Sequence, residues 1–362
     1  MKHLLLLGGG HAHVQVLKSL AQEPLQGVRV TLVSPFVRQI YSGMVPGFVA
    51  GHYGLDDCAI SLAALAERAR AEFIESSATR LDAATRSVTL ADHRELRYDV
   101  VSIDTGGAID RDAIPGAREF GLFVRPIEQF TRLWGDVLSL AEQRDLSVSV
   151  IGAGAAGVEL ALAMQYRLGQ HARLSLVTGG LPPLAAYPLP VQLRARKALR
   201  RFGITVLEDS CARITATHVQ LGQGTQLQCD APVVALGVGP APWLAGSGLA
   251  LDASGFVATG PTLQSTSHPE AFAAGDVATN IAAPRPKSGV FAVRAGPALA
   301  LNLRRYLGGA KPAAHRSAAK SLNLLSCGSR HAIASWGAWS SEGRWVWHWK
   351  DRIDRRFIAA YR

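Results

Sequence analysis

Val148-Ser149-Val150-Ile151 runs directly into Gly152-Ala153-Gly154-Ala155-Ala156-Gly157, and this junction decides how the chain is read. A short apolar strand meets a glycine-rich turn, and the residues beyond it, from about Ala156 to Leu168, have helical period. In that setting the three glycines have separate tasks. The first makes the turn, the second lets the backbone approach a diphosphate, and the third lets helix and strand pack closely. The diphosphate is then expected on the positive end of the helix, facing its unpaired N–H groups. Gly152, Gly154 and Gly157 fill all three places, which predicts a dinucleotide site.

A related turn lies upstream. Gly8-Gly9-Gly10-His11-Ala12-His13 follows the apolar run Leu4 to Leu7, but His13 stands at the third glycine position. Its helix must ride farther from the strand, or His13 must point aside. Downstream, Gly275-Asp276 follows Ala271-Phe272-Ala273-Ala274. Two glycine turns and a Gly-Asp turn in this order suggest two nucleotides brought face to face.

Period and turn chemistry extend these anchors into two βαβ units. The first has strands at 4–8 and Val28 to Val33 around a helix from His11 to Ala21. The second begins at Ser147 and continues through a strand at Leu174 to Val177, a basic helix Val191 to Phe202 and a strand Thr205 to Leu207. A strand at Val233 to Leu236 then returns the chain to the first domain. Gln39 to Gly54 reads as a long functional loop, and Ser61 to Ala71 as a helix. Short strands are expected near Phe73-Ile74, Ser87 to Leu90 and Val100 to Asp104. A long helix runs from Gly289 to Tyr306, and Pro297, after Gly296, should kink or restart it. The predicted fold is α/β: two Rossmann-like, three-layer dinucleotide-binding domains with a small C-terminal α+β domain. Residues 1–108 and 237–310 form the first domain, 109–236 the second, and 311–362 the Trp-rich, basic third.

Composition narrows the function. The 362 residues carry a formal charge of +10 and only four cysteines: Cys58, Cys211, Cys229 and Cys327. No two are spaced for a redox pair or a metal clip, so no metal is expected and a reducing cytosol fits. Leu4 to Leu7 is read as a buried strand rather than a targeting segment. No stretch reads as a membrane span, since the longest uncharged one, Ala231 to Leu251, is broken by three prolines. Basic clusters occupy Arg194 to Arg201, Arg304 to Lys320 and Arg344 to Arg362. Each reads as a solvated face, and the last also as a contact for anionic lipid; no motif for nucleic acid accompanies them.

Several residues carry two readings. Asp276 could accept hydrogen bonds from the ribityl hydroxyls of a flavin, or simply shape a Gly-Asp turn. Lys287, before the Gly289 helix, could direct positive potential at a reduced flavin, or be a solvated loop lysine. Glu159 is either a first-turn acid favoured by the helix dipole or a group beside the reacting rings. His11 and His13 flank the first turn as polar helix-start residues. Neither βαβ unit ends in the acid that usually binds the adenosine ribose. Ser34-Pro35 closes the first, where Ser34 could bond a ribose hydroxyl. Thr178 closes the second, where the missing charge leaves NADPH as open as NADH. Five of the seven tryptophans lie between Trp336 and Trp349; the alternation of Trp345, Trp347 and Trp349 predicts one face of a strand, followed by a basic helix.

Gly8-Gly9-Gly10, Thr105-Gly106, the Gly152 to Gly157 turn and Gly275-Asp276 together resemble the pyridine-nucleotide-disulfide oxidoreductase superfamily over about the first 310 residues. Within it the chain is similar to the type II NADH dehydrogenases. It is also similar to the flavoprotein module fused ahead of selenophosphate synthetase, through Gly8 to Val14, Tyr41 to Gly47, Lys287 to Arg294 and Trp345 to Arg356; no synthetase domain is expected. The resemblance implies FAD held at Gly8, Gly10, His11, Ala12, Ser34, Pro35, Thr105, Gly106, Gly275 and Asp276. It places NAD(P)H at Gly152, Gly154, Gly157, Thr178 and Gly237, with Lys287 and Glu159 near the chemistry. Disulfide reductases carry two cysteines four residues apart beside the flavin; Ser42 to Val49 has none, so a quinone-like acceptor is expected instead. Ala295 stands where type II dehydrogenases usually carry a glutamine. The alternatives are a soluble reductase for an iron–sulfur protein or a selenium or sulfur compound, and a low-turnover flavin sensor. A cytoplasmic enzyme, peripheral on the inner face of the cell membrane and open to homodimer formation, completes the expectation.

Overall fold

Leu4, Leu5, Leu6 and Leu7 are all buried, which is the pattern of a strand covered on both faces. In the computed structural model, which describes residues 1–316 and 320–362, that strand is central in a five-stranded parallel sheet. The spatial order is Ala271–Ala273, Val100–Ile103, Lys2–Leu7, Val28–Ser34, Glu72–Glu75. A second parallel sheet repeats the plan: Leu122–Phe123, Ala231–Val234, Leu146–Ile151, Ala172–Val177, Thr205–Leu207. In each sheet the central strand ends in a glycine turn, the switch point where open α/β sheets bind ligands.

Alternation along the strands sorts the core. Leu5 and Leu7 pack with Leu81, Val88 and Leu90 of a three-stranded antiparallel sheet, whereas Leu4 and Leu6 pack under the helices. In the second half Ile151 and Val177 meet Ile214, Val219 and Leu221 of another three-stranded sheet. Helices, parallel sheet and antiparallel sheet thus make three layers twice.

Helix α1 (His11–Gln22) follows the first glycine turn and α2 (Ala155–Leu168) the second. Helix α3 (Gly289–Leu307) lies along α1 and remains one helix through Pro297, where a kink or restart was expected. A Cβ on Gly296 would come within 2.8 Å of Gln15 Cβ, so the glycine lets α3 approach α1. The Gln39 to Gly54 stretch is also more ordered than a long loop, with a strand at Arg38–Ile40, a 3₁₀ turn at Ser42–Met44 and a helix at Val45–Val49. The helix expected over Ser61 to Ala71 contracts to Leu62–Arg68, capped by the Ser61 hydroxyl. The return strand is Ala231–Val234, earlier than expected.

The C-terminal segment holds three antiparallel strands (Leu322–Ser326, Ala332–Trp336, Trp339–Gly343) and helix α4 (Arg344–Ala359). Leu325, Ile333, Val346, Trp347 and Ile358 join the main core. The alternating tryptophans therefore lie on a helix, not on a strand face. Positions two apart on a helix point to opposite sides: Trp347 is 6% exposed, while Trp345 and Trp349 stack outside at 6.2 Å and are 53% and 38% exposed. Residues 317–319 of the Arg304 to Lys320 basic region lie outside the described residues.

Candidate active site

The first glycine turn opens onto a cleft of about 380 Å³. Gly8, Gly10, His11, Ser34, Pro35, Thr105, Gly106 and Asp276 all line it, bringing together residues that sequence reading had assembled only by order. Gly8 has φ +91°, and a Cβ there would lie 2.5 Å from the Asp104 carbonyl oxygen. A Cβ on Gly10 would lie 2.4 Å from Asp104 Oδ1, and one on Gly275 2.6 Å from the same oxygen. Gly10 and Gly275 are thus required by the carboxylate, and Gly8 by the backbone, of a residue that the sequence alone did not single out.

Asp104 ends the Val100–Ile103 strand and is 2% exposed. Its Oδ2 accepts the N–H groups of Ala12 at 2.7 Å and His13 at 2.9 Å. Two of the helix donors expected to meet a diphosphate are therefore spent inside the protein, leaving Gly9, Gly10 and His11 on the cleft wall. Burial pushes the Asp104 carboxyl up to about 7, against the pull of those two donors. A carboxylate ending a buried apolar strand beside Thr105-Gly106 was the signal available for it.

His13, at the third glycine position, neither pushes the helix away nor reaches the cleft. It is fully buried, with Nδ1 2.6 Å from the Gly8 carbonyl and Nε2 2.8 Å from Ser102 Oγ. A carbonyl can only accept, so Nδ1 donates and Nε2 accepts from the serine. Burial lowers the ring to about 4, which keeps this neutral tautomer. His11 is likewise held near 4, by burial and by the Arg125 cation, and its ring stands edge-on to Tyr41 at 5.5 Å.

Arg125 and Glu128 enter the cleft wall from the part of the chain that builds the second parallel sheet, just after its Leu122–Phe123 strand. Arg125 Nη2 lies 3.2 Å from Asp276 Oδ2. Nothing in the local sequence marks Arg125; the fold alone delivers it. Lys287, by contrast, is not part of the cleft wall. Its Nζ donates to the Ala278 carbonyl at 2.6 Å and Thr279 Oγ1 at 2.8 Å, and sits 3.8 Å over the Phe256 ring. The Ser34 hydroxyl is spent on the Phe36 carbonyl at 3.1 Å.

The second turn satisfies its glycine pattern. Gly152 has φ +109°, and a Cβ on Gly157 would fall 1.8 Å from the Gly152 carbonyl oxygen. Gly154 and Gly237 have open space where a Cβ would stand. The Thr178 hydroxyl, at the end of the Ala172–Val177 strand, is buried with no hydrogen-bond partner among the described residues. Glu159 does not face the first cleft; its Oε1 accepts the Ser326 N–H at 2.7 Å from the C-terminal sheet. Burial pushes its carboxyl up to about 7, opposed by Lys350 and by that N–H.

Residues 2–296 match the pyridine nucleotide-disulphide oxidoreductase family. The chain belongs to that family. It is a pyridine nucleotide oxidoreductase, with the α/β fold the sequence predicted. The demethylphylloquinone reductase NdbB of Synechocystis sp. is 26% identical over 284 residues, covering 75% of this chain and 70% of that protein. The oxidoreductase ptaL of Pestalotiopsis fici is 25% identical over 361 residues, covering 95% and 94%. The structure of NDH2 from Plasmodium falciparum in complex with NADH superposes with a TM-score of 0.81 at 13% identity, over 99% of this chain and 97% of that one, a likeness of fold.

Proposed function

We propose that this chain is an FAD-dependent NAD(P)H oxidoreductase that delivers electrons to a quinone-like acceptor without a redox-active disulfide. One observation carries the reading: two glycine turns, each ending the central strand of its own parallel sheet, with Asp276 lining the cleft over the first. The relative named as a demethylphylloquinone reductase supports the class of acceptor.

The residues present fit both dinucleotides. Gly8 to His11 offer backbone to a diphosphate, with Thr105 and Gly106 beside them, and Asp276 offers a carboxylate to ribityl hydroxyls. Gly154 leaves room for a second diphosphate, and the partnerless Thr178 hydroxyl waits for a donor or acceptor from its ribose. The chemistry a bound FAD supplies is acceptance of hydride from the nicotinamide and release of electrons to the acceptor. The protein's part is placement, and the holding of protons. On the cleft wall His11 stays neutral, held near 4, and burial keeps the Asp104 carboxyl up near 7 behind the first turn.

The partner proposed for the outer face of α4 is a membrane bearing anionic lipid. Trp345, Trp349 and Ile353 form one exposed stripe beside exposed Arg344, Arg352 and Arg356, with Trp336 and Trp339 exposed on the adjacent hairpin. Indole rings favour the interfacial region and arginines the headgroups. Among the described residues no helix is long and apolar enough to cross a membrane.

Visible spectra of the purified protein under nitrogen, before and after NADH and then NADPH, test the cofactors. A flavin band bleached by either nucleotide is expected; a colourless protein that refuses FAD removes the proposal. Steady-state assays with short-chain quinones test the acceptor, and turnover no faster than with oxygen alone removes it. Sedimentation with anionic and neutral liposomes tests the surface, which Trp345→Ala/Trp349→Ala should weaken.

A further inference from the structure

We infer that Arg125 is the cation that sets the reduction equilibrium of the flavin, a task that the sequence assigned to Lys287. The inference rests on the flavin reading of the first cleft. Hydride transfer from NADH leaves the flavin one negative charge richer and the nicotinamide one positive charge richer. A fixed cation on the flavin's cleft wall therefore favours the reduced side, and in a partly dry cleft the effect exceeds that of a solvated charge.

Arg125 is placed for this and Lys287 is not. The guanidinium reaches from just before the Ile127–Ala141 helix, in the part of the chain that builds the second sheet, into the cleft over the first glycine turn. A Cβ on Gly106 would lie 4.0 Å from Arg125 Nη1, which puts the fork beside the Thr105-Gly106 turn. Its charge is felt on three sides. It pairs with Asp276 at 3.2 Å, it acts on Glu128 in the first turn of the Ile127–Ala141 helix, and it reaches His11 across the cleft. Lys287 is spent on Ala278, Thr279 and the Phe256 ring, and lies off the cleft wall.

The groups facing Arg125 also make a balance. Asp276 and Asp104 put two carboxyls behind the cleft, and His11 is neutral. Arg38, the other cation on this wall, pairs with Asp56 at 3.3 Å, so without Arg125 the carboxylate of Asp276 would face the flavin unpaired and a further negative charge there would meet more repulsion. Because Arg125 comes from the part of the chain that carries the second glycine turn, its distance from the flavin depends on how the two parts meet. Binding of nicotinamide nucleotide there can thereby be coupled to the ease of flavin reduction.

The test is an equilibrium redox titration of the purified flavoprotein against a dye of known potential, for the unmodified protein, Arg125→Gln and Arg125→Lys. Arg125→Gln should retain bound FAD and disfavour reduction by tenfold or more, about 30 mV for a two-electron couple. Arg125→Lys, which keeps the charge but loses the fork, should recover most of that shift. Lys287→Gln should change the equilibrium less than threefold. Equal potentials in the unmodified protein and Arg125→Gln overturn the inference, as does a larger shift in Lys287→Gln. If Arg125→Gln does not fold, a tenfold loss in Arg125→Lys overturns it, because charge alone would then not suffice. A protein that binds no FAD in any form fails at the earlier reading instead, which separates the two.

Discussion

Lys350 and Asp354, one turn apart on α4, form a buried ion pair at 2.6 Å, and the same ammonium donates to the Gly43 carbonyl at 2.6 Å. Glu159 of α2 lies within reach of that charge, so one cation faces two buried carboxyls. The cluster fastens the C-terminal helix to both halves of the molecule: Gly43 belongs to the first and Glu159 to the second. Tyr41 hydrogen-bonds Asp354 and stacks on Phe357 at 4.3 Å, carrying the contact on to His11 and the cleft.

Removing the cation should therefore be costly. Lys350→Met leaves Asp354 buried and unpaired, and a loss of about 3–5 kcal/mol in urea unfolding is expected. Lys350→Met/Asp354→Leu, which removes both charges, should regain a large part of it. A single variant as stable as the parent would show that the pair is solvated.

The Asp104 and Glu159 carboxyls should each contribute stability that is lost as pH rises from about 4 to about 7, while the buried His11 and His13 contribute in the opposite sense between about 4 and 6.5. Asp104 and Glu159 bind protons more tightly folded, near 7, than unfolded, near their ordinary values, so the folded state gains while they stay protonated. Full ionisation of each costs on the order of 3 kcal/mol. Glu159→Gln should remove its share of the difference between urea midpoints at pH 5 and pH 8. An unchanged difference would mean that Glu159 ionises as an ordinary carboxylate.

His13→Gly would restore the common glycine pattern of the first turn, yet it should destabilise. The imidazole bridges Gly8 O and Ser102 Oγ, and its loss strands both in a dry cavity. About 2–4 kcal/mol is expected, read from thermal or urea unfolding. A neutral or stabilising effect would refute the structural role given to the ring.

Gly157→Ala should damage the second turn alone. The added methyl would lie 1.8 Å from the Gly152 carbonyl oxygen, so the turn must move. The KM for the nicotinamide nucleotide should rise tenfold or more, about 1.4 kcal/mol, while flavin content stays at the parent level. Loss of flavin with unchanged KM would reverse the assignment of the two turns.

Much of this molecule was legible before it folded. The strands at Leu4 to Leu7 and Val148 to Ile151, both glycine turns and the Gly-Asp turn depend on local pattern: apolar runs that must be buried, and glycines at positive φ. Local pattern was insufficient where two periods compete. Trp345, Trp347 and Trp349 alternate as a strand would, but they sit on a helix with Trp347 turned inward, because Val346, Lys350, Asp354 and Ile358 share the buried side.

The chain by itself thus determined two parallel-sheet modules and the glycines that turn them, since these follow from burial and backbone sterics within a few residues. Only the tertiary structure decided which charges meet. Arg125 reaches Asp276 across 151 positions, Asp104 takes the first-turn donors Ala12 and His13, and Lys287 is drawn off to Ala278 and Phe256. Pairing of charges depends on distance in space and on exclusion of water, and neither is written in any local stretch of sequence.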